Sequence, residues 1–132
     1  MAWEVTFLED QGIVRVAVWG SAAREEHHAA RAEAGRLLRE RDSQLLLVDL
    51  HDLETEGVIS MIGCFDFGSS YLQPGRIPAE ARVAHVLPKD PKAAKDVEFL
   101  TAVAANQGAT IRNFESREDA CAWLLTPPKE EP

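Results

Sequence analysis

The sequence is short of the features that mark several protein classes. Its 132 residues include two cysteines, Cys64 and Cys121, which lie far apart and belong to no Cys-x-x-Cys pair. This spacing predicts buried thiols instead of a disulfide framework or a structural zinc site. No run approaches the roughly 18 apolar residues of a membrane-spanning helix, and no basic start followed by an apolar stretch indicates a signal peptide. We therefore expect a cytoplasmic protein without a transmembrane segment.

Basic residues are also scarce relative to acids. Lysine and arginine number 14 against 22 aspartates and glutamates, which gives a formal net charge of −8. Because this excess of negative charge repels phosphate groups, we expect neither nucleic acid nor an anionic membrane as the main partner. The motifs G-x-S-x-G, GxGxxG, P-loop and HExxH are missing as well. The sequence therefore predicts a protein that is not an enzyme and binds no cofactor or metal.

The first third of the chain shows the periodicities of a hairpin and a helix. Alternating runs at 3–8 and 13–19 flank a turn that contains Gly12, which predicts a β-hairpin. Residues 22–41 are mostly good helix formers, and Ser21 can cap their helix. The helix has an apolar stripe and a charged side that we expect to face solvent, with Arg31 on the solvent side. The stripe comprises Ala30, Ala34, Leu37 and Leu38.

The remainder of the chain alternates strands with helices. The continuous apolar run 45–49 predicts a strand that is covered on both faces. A polar loop follows, and then a helix from about Thr55 to Leu72 that is apolar nearly all round. Further elements are a strand at 81–87 with a structural His85, a helix at about 91–107 capped by Asp90, a strand at 110–114 and a helix opened by Ser116.

The element order is therefore β-β-α-β-α-β-α-β-α. This order predicts a layered α/β fold with a mixed, mostly parallel sheet of about five strands, an N-terminal β-hairpin and about four helices. No internal repeat or composition shift indicates a second domain. We expect a single domain at 1–125 and a frayed, polar, proline-rich tail at 126–132.

Three stretches of the chain, taken in order, resemble a known family. They are Trp3-Glu-Val5 with Gly12-Ile-Val14 and Gly20; Leu45-Leu-Leu-Val-Asp49-Leu50; and Ala104-Ala-Asn106-Gln-Gly108 with Ile111-Arg-Asn-Phe114 and Glu118-Asp-Ala120-Cys-Ala-Trp123-Leu124. Together they cover most of the chain and resemble the STAS-domain superfamily, in particular the bacterial SpoIIAA-like (STAS/SEC14-like) group. The resemblance implies the STAS-like layered fold and a small regulatory or ligand-binding module that performs no catalysis. Many proteins of this group have no assigned function.

The loop after the strand 45–49 is the first candidate site. Ligands of open α/β sheets bind at the carboxyl ends of the strands. In anti-sigma-factor antagonists an Asp-Ser-Ser-Gly motif follows this strand, and its first serine is phosphorylated. The resemblance places Glu54 at the aspartate, Thr55 at the phosphoacceptor, Glu56 at the second serine and Gly57 at the glycine. The alternative is that Thr55 only caps the next helix, since the neighbouring carboxylates repel an incoming phosphate.

The same region carries an acidic set, Asp49, Asp52, Glu54 and Glu56, with His51 among them. Oxygen ligands of this kind suit Mg²⁺ or Ca²⁺, but the spacing is not that of an EF-hand. We therefore expect a solvated loop whose acids favour the start of the following helix, and no metal site.

The apolar helix predicted after this loop is the second candidate site. If one of its faces packs on the sheet, Ile59, Phe67 and Tyr71 remain to contact something else. Apolar surface of this kind meets a protein partner, a second copy of the chain or an apolar ligand. A neighbouring segment of the same chain is the alternative cover.

These observations lead to one favoured function and two alternatives. The favoured function is a non-catalytic regulatory or protein-interaction module that acts through the loop and helix at 51–72. Its partner is another protein or a second copy of the chain, which gives a homodimer. The first alternative is a carrier or sensor of a small apolar ligand or lipid, and the second is a phospho-switch with Thr55 as acceptor. The candidate binding residues are His51, Asp52, Glu54, Glu56, Gly57, Ile59, Phe67 and Tyr71. The sequence does not identify the partner or ligand.

Overall fold

Five strands form one mixed sheet in the order in which they occur along the chain. The computed structural model describes residues 3–20, 24–54, 77–78 and 80–126. The strands are β1 (Trp3–Leu8), β2 (Ile13–Val18), β3 (Leu45–Asp49), β4 (Arg82–Val86) and β5 (Thr110–Phe114), in the spatial order β1-β2-β3-β4-β5. β1 is antiparallel to β2, and the other neighbouring pairs are parallel. The predicted α/β class and the largely parallel five-stranded sheet are confirmed.

The predicted β-hairpin joins β1 to β2. Its register runs without a bulge from Trp3 opposite Val18 to Leu8 opposite Ile13. The carbonyl of Leu8 accepts hydrogen bonds from the backbone N–H groups of Gln11 and Gly12 at 3.1 and 2.8 Å. Gly12 has φ +69°, a left-handed conformation that glycine adopts without steric cost, and this closes the four-residue loop.

Three helices occur among the described residues: α1 (Arg24–Glu40), α2 (Pro91–Asn106) and α3 (Arg117–Leu125). Asp90 caps α2 by accepting a hydrogen bond from the Lys92 N–H, and Pro91 takes the first helical position. The hydroxyl of Ser116 accepts from the Asp119 N–H, 3.1 Å away, and caps α3. Both predicted caps are confirmed. The fourth predicted helix, from about Thr55 to Leu72, lies outside the described residues.

Helices cover both faces of the sheet, which explains why β3 is a continuous apolar run up to Asp49. On the first face α1 and α2 pack against alternate strand residues, and on the second face α3 packs against β3, β4 and β5. The first core includes Val14, Val16, Leu46, Val83, Ile111, Ala34, Leu38, Val97 and Ala104. The second core includes Ile13, Leu47, Ala84, Val86, Ala120, Trp123 and Leu124.

Two arginines lie in positions that the periodicity does not indicate. Arg31 was expected on the solvent side of α1 but is buried, and its Nη2 lies 3.1 Å from His28 Nδ1, one turn back along the helix. The prediction for Arg31 is wrong because a long side chain can fold along its own helix. Arg82 in β4 is also buried, with its guanidinium carbon 4.3 Å from the centre of the Trp123 ring.

The end of the second core adjoins the start of the predicted tail. Arg82 donates a hydrogen bond to the carbonyl of Thr126, the last described residue, and residues 127–132 lie outside the described part of the chain. Within that part, no helix has both the length and the hydropathy needed to cross a bilayer. Cys121 is a free thiol but only partly buried, so the predicted burial is not complete there, and Cys64 lies outside the described residues.

Candidate interaction surface at the carboxyl edge of the sheet

The loop that follows β3 is held to the neighbouring strand by its backbone. The N–H of Leu50 donates to the carbonyl of Val86, the last residue of β4, over 3.1 Å. In the loop that follows β4, the N–H of Lys89 donates to the carbonyl of His51 over 3.1 Å. The loops leaving β3 and β4 are thus joined by two main-chain hydrogen bonds, so neither moves independently of the other.

The same loop is held on its other side by the exit of β2. The Gly20 N–H donates to the Asp52 carbonyl over 3.0 Å, and the Glu54 N–H donates to the Gly20 carbonyl over 2.9 Å. Gly20 has φ +66°, which any side chain would strain. Between these bonds Leu53 points into the core and is 8% exposed. The loop is therefore held by hydrogen bonds to the exits of β2 and β4 and by the burial of Leu53 in the core.

Charged side chains project from this fastened loop. His51 Nδ1 donates to Asp52 Oδ1 over 3.2 Å, and Lys89 Nζ lies 3.5 Å from the same oxygen. Hydrogen bonding to His51, and then to Lys89, holds the pKa of Asp52 below its ordinary value, so this carboxylate stays ionised. Asp52 nevertheless remains 67% exposed. We call His51, Asp52, Glu54 and Lys89 the carboxyl-edge cluster.

An ion pair on the second face of the sheet supports the cluster. Asp49 ends β3, and its Oδ1 accepts a hydrogen bond from the His51 N–H over 3.2 Å. Its Oδ2 accepts from Arg15 Nη2 on β2, also over 3.2 Å. The two side chains are only 20% and 19% exposed, so the pair is screened less than a surface pair. Asp49 thus orients the backbone of His51, the second residue of the loop.

Trp19 brings an aromatic surface to the same edge. It is 39% exposed and directly precedes Gly20, whose backbone binds Asp52 and Glu54. Tryptophan is among the residues most enriched where proteins contact one another. The carboxyl edge therefore combines a partly exposed tryptophan in the exit of β2 with charged side chains in the exits of β3 and β4.

A second polar group lies on the first face, below the surface. His85 in β4 is 3% exposed, and its Nδ1 is 3.1 Å from Thr101 Oγ1 on α2. The Thr101 hydroxyl donates to Asn113 Oδ1 on β5 over 2.9 Å, which leaves that hydroxyl to accept from His85 Nδ1–H. Burial lowers the pKa of His85 from 6.5 to about 4, and a hydrogen bond with Asn113 opposes this shift. We call these three residues the buried network; its role is to hold β4, β5 and α2 together.

The structure places only some of the predicted site residues. It brings together the side chains of His51 and Asp52, and it places the exposed Glu54 two residues further along the same loop, bound to Gly20 by its backbone. The other candidates lie outside the described residues: Thr55, Glu56, Gly57, Ile59, Phe67 and Tyr71. Phosphorylation of Thr55 and an apolar ligand at the following helix therefore stay predictions. Among the described residues, no three His, Cys, Asp or Glu side chains converge as metal ligands would.

Sequence reasoning missed three residues of this edge, namely Arg15, Trp19 and Lys89. Arg15 is the one charged residue in the strand Ile13–Val18, and a charge inside a buried strand signals a partner of opposite charge. Lys89 follows β4 as the loop at 50–54 follows β3, so adjacent parallel strands bring the two exits together. Trp19 carried the weakest signal, because it reads as the last position of an alternating strand.

The chain was also compared with known proteins. No protein-family model, no curated protein and no solved structure matches it. The likeness to STAS domains therefore remains a prediction from the three sequence stretches, and function must be argued from the site itself.

Proposed function

We propose that this chain is a non-catalytic regulatory module of STAS type that binds a protein partner through the carboxyl-edge cluster and the segment 55–72 that follows it. The observation that carries the proposal is the fixed display of charge. Main-chain hydrogen bonds to Gly20, Val86 and Lys89 fasten the loop, while His51 and Asp52 project outward and are exposed.

Fastening matters because it removes a cost of association. A mobile loop loses backbone freedom when a partner orders it, and this loss weakens the association. Here the backbone is already held, and Asp49 orients the His51 N–H before any partner arrives. A partner therefore meets a loop whose backbone is already ordered.

Charge and shape at the edge favour a protein as the bound molecule. The exposed carboxylates of Asp52 and Glu54 attract a partner of positive potential and exclude wrongly charged ones. Trp19 supplies the flat apolar contact that a purely charged surface lacks. The position at the carboxyl ends of parallel strands is where α/β proteins most often bind.

The proposal is tested by affinity capture from an extract of the source organism. The tagged wild-type chain is compared with Asp52→Lys/Glu54→Lys and with a control, Glu9→Lys/Asp10→Lys. The control makes the same charge change in the hairpin loop, where both acids are also exposed. This loop lies at the end of the sheet opposite the carboxyl ends of the parallel strands.

The expected result is a protein that the wild type and the control capture and the carboxyl-edge variant loses. If every captured protein is retained by the carboxyl-edge variant, the cluster is not a binding surface and the proposal fails. Native mass spectrometry of the purified chain separates the alternatives, because it detects a lipid adduct or an added phosphate by mass.

A further inference from the structure

The outer edge of β1 has no strand beside it in the described part of the chain. β1 pairs with β2 on one side, and it is the first strand of the sheet. An edge strand of this kind presents free N–H and C=O groups that can pair with another strand. Proteins normally protect such edges with charged side chains, above all lysine, with proline or with a bulge.

The two edge strands of this sheet differ in the residues that discourage pairing with another strand. β5, at the far edge, has the exposed Arg112 at its centre. β1 contains no lysine, arginine or proline, and its pairing with β2 runs through six residues without a bulge. Its one charged residue is Glu4. Of the two edge strands in the described part of the chain, β1 is therefore the less protected, with Glu4 as its single charge.

We propose that β1 of one copy pairs antiparallel with β1 of a second copy, so that two chains share one continuous sheet. This homodimer does not depend on the proposed partner at the carboxyl edge. In such a two-fold pairing, residues directly opposite each other on the two strands must have their side chains on the same face of the sheet. Centred on Val5, the register sets Val5 against Val5, Trp3 against Phe7 and Glu4 against Thr6.

Charge and aromatic contacts select this register over its neighbours. A shift by two residues in one direction sets Glu4 against Glu4, and like charges directly opposite are destabilising. A shift in the other direction sets Glu4 against the apolar Leu8. Both shifts also lose the two Trp3–Phe7 pairs, and aromatic cross-strand pairs are among the favourable ones. The single charge of β1 thus fixes the pairing.

The packing of β1 leaves surface for a second copy to cover. Trp3, Val5 and Phe7 lie on the face that α1 covers, yet each is only partly buried against the core. The guanidinium carbon of Arg41 lies 5.2 Å from the centre of the Phe7 ring. Strand pairing would bury the exposed part of each Trp3 ring against Phe7 of the second copy.

The test uses two opposite charges at one position, Thr6→Glu and Thr6→Lys. In the proposed dimer, Thr6→Glu creates two Glu–Glu pairs with Glu4, and Thr6→Lys creates two Glu–Lys pairs. Within one chain the preference is reversed, because Thr6 lies opposite Arg15 of β2. A general loss of folding therefore cannot imitate the expected pattern.

The dimer dissociation constant is measured by sedimentation equilibrium over a wide range of concentration. We expect Thr6→Glu to weaken dimerisation roughly tenfold and Thr6→Lys to tighten it. The double variant Glu4→Lys/Thr6→Glu restores opposite charges and should restore dimerisation. A wild-type chain that stays monomeric, or a dimer whose constant is the same in both Thr6 variants, would overturn the proposal.

Discussion

The molecule contains two hydrogen-bonded clusters built around a histidine, at very different depths. In the buried network, His85 is 3% exposed and reaches Asn113 through Thr101. In the carboxyl-edge cluster, His51 and Asp52 are joined by a hydrogen bond of similar length, 3.2 Å, but lie at the surface. Both clusters contain a hydrogen bond to the Nδ1 atom of a histidine, which is buried in one cluster and exposed to solvent in the other.

The comparison shows that depth, and not residue type, separates a structural polar group from one available for binding. Burial leaves the neutral form of His85 as the stable one and makes each partner costly to remove. At the surface, water replaces a lost partner, so the pair of His51 and Asp52 contributes little to folding and can be used for recognition. The predictions below separate these two roles.

The largest expected effect is a dependence of stability on pH that arises from His85. Its folded pKa of about 4 lies below the ordinary 6.5, so the unfolded chain binds more protons between these values. The free energy of unfolding should therefore fall as pH drops from 6.5 to 4, by roughly 3 kcal/mol from this group. Urea unfolding of the wild type across this range measures the fall.

The control for this prediction is His85→Gln, which keeps a polar group but cannot titrate. The residues that face position 85 from β3, β5 and α2 are Val48, Asn113 and Thr101, and none of them titrates. The difference between wild type and variant should therefore shrink as the pH falls. A difference that is constant over the whole range would assign the pH dependence to other groups.

The next largest effect is expected from Thr101→Val, which removes the hydroxyl at the centre of the buried network and keeps the shape. His85 Nδ1–H and Asn113 Oδ1 then lose their shared partner, which should cost about 2 kcal/mol of stability. Thr101→Ser keeps the hydroxyl and should cost clearly less. Equal losses in the two variants would mean that packing, and not hydrogen bonding, is what Thr101 supplies.

A smaller effect is expected from the ion pair that supports the carboxyl-edge cluster. A double-mutant cycle with Arg15→Met and Asp49→Asn should give a coupling energy of about 1 kcal/mol, since the pair is half-buried. Thermal or urea unfolding of the four proteins measures it. A coupling energy near zero would show that the Arg15–Asp49 pair stabilises the fold no more than an exposed ion pair does. It would contradict the claim that this pair supports the loop.

Much of the fold could be predicted from the sequence because local signals determine it. The caps at Asp90 and Ser116, the left-handed Gly12 and Gly108, and the strand Thr110–Phe114 all follow from residue types at short spacing. Each of these features depends on contacts within a few residues. The same holds for the apolar stripes of the three described helices.

The parts that could not be predicted depend on register between distant segments. Arg15 reaches Asp49 because Ala17, two residues further along β2, lies opposite Asp49 in the parallel pairing. His85 meets Asn113 because β4 and β5 align these two positions. Parallel strands are joined by crossover connections of a dozen or more residues, so no short turn motif fixes which of their residues align.

The central claim is that folding and binding use different clusters, and one paired measurement tests it. The free energy of unfolding and the dissociation constant for the captured partner are measured for Thr101→Val and for Asp52→Lys. We expect Thr101→Val to lose about 2 kcal/mol of stability with binding unchanged. Asp52→Lys should change stability by less than about 0.5 kcal/mol and weaken binding roughly tenfold or more. Wild-type binding by Asp52→Lys would contradict the account.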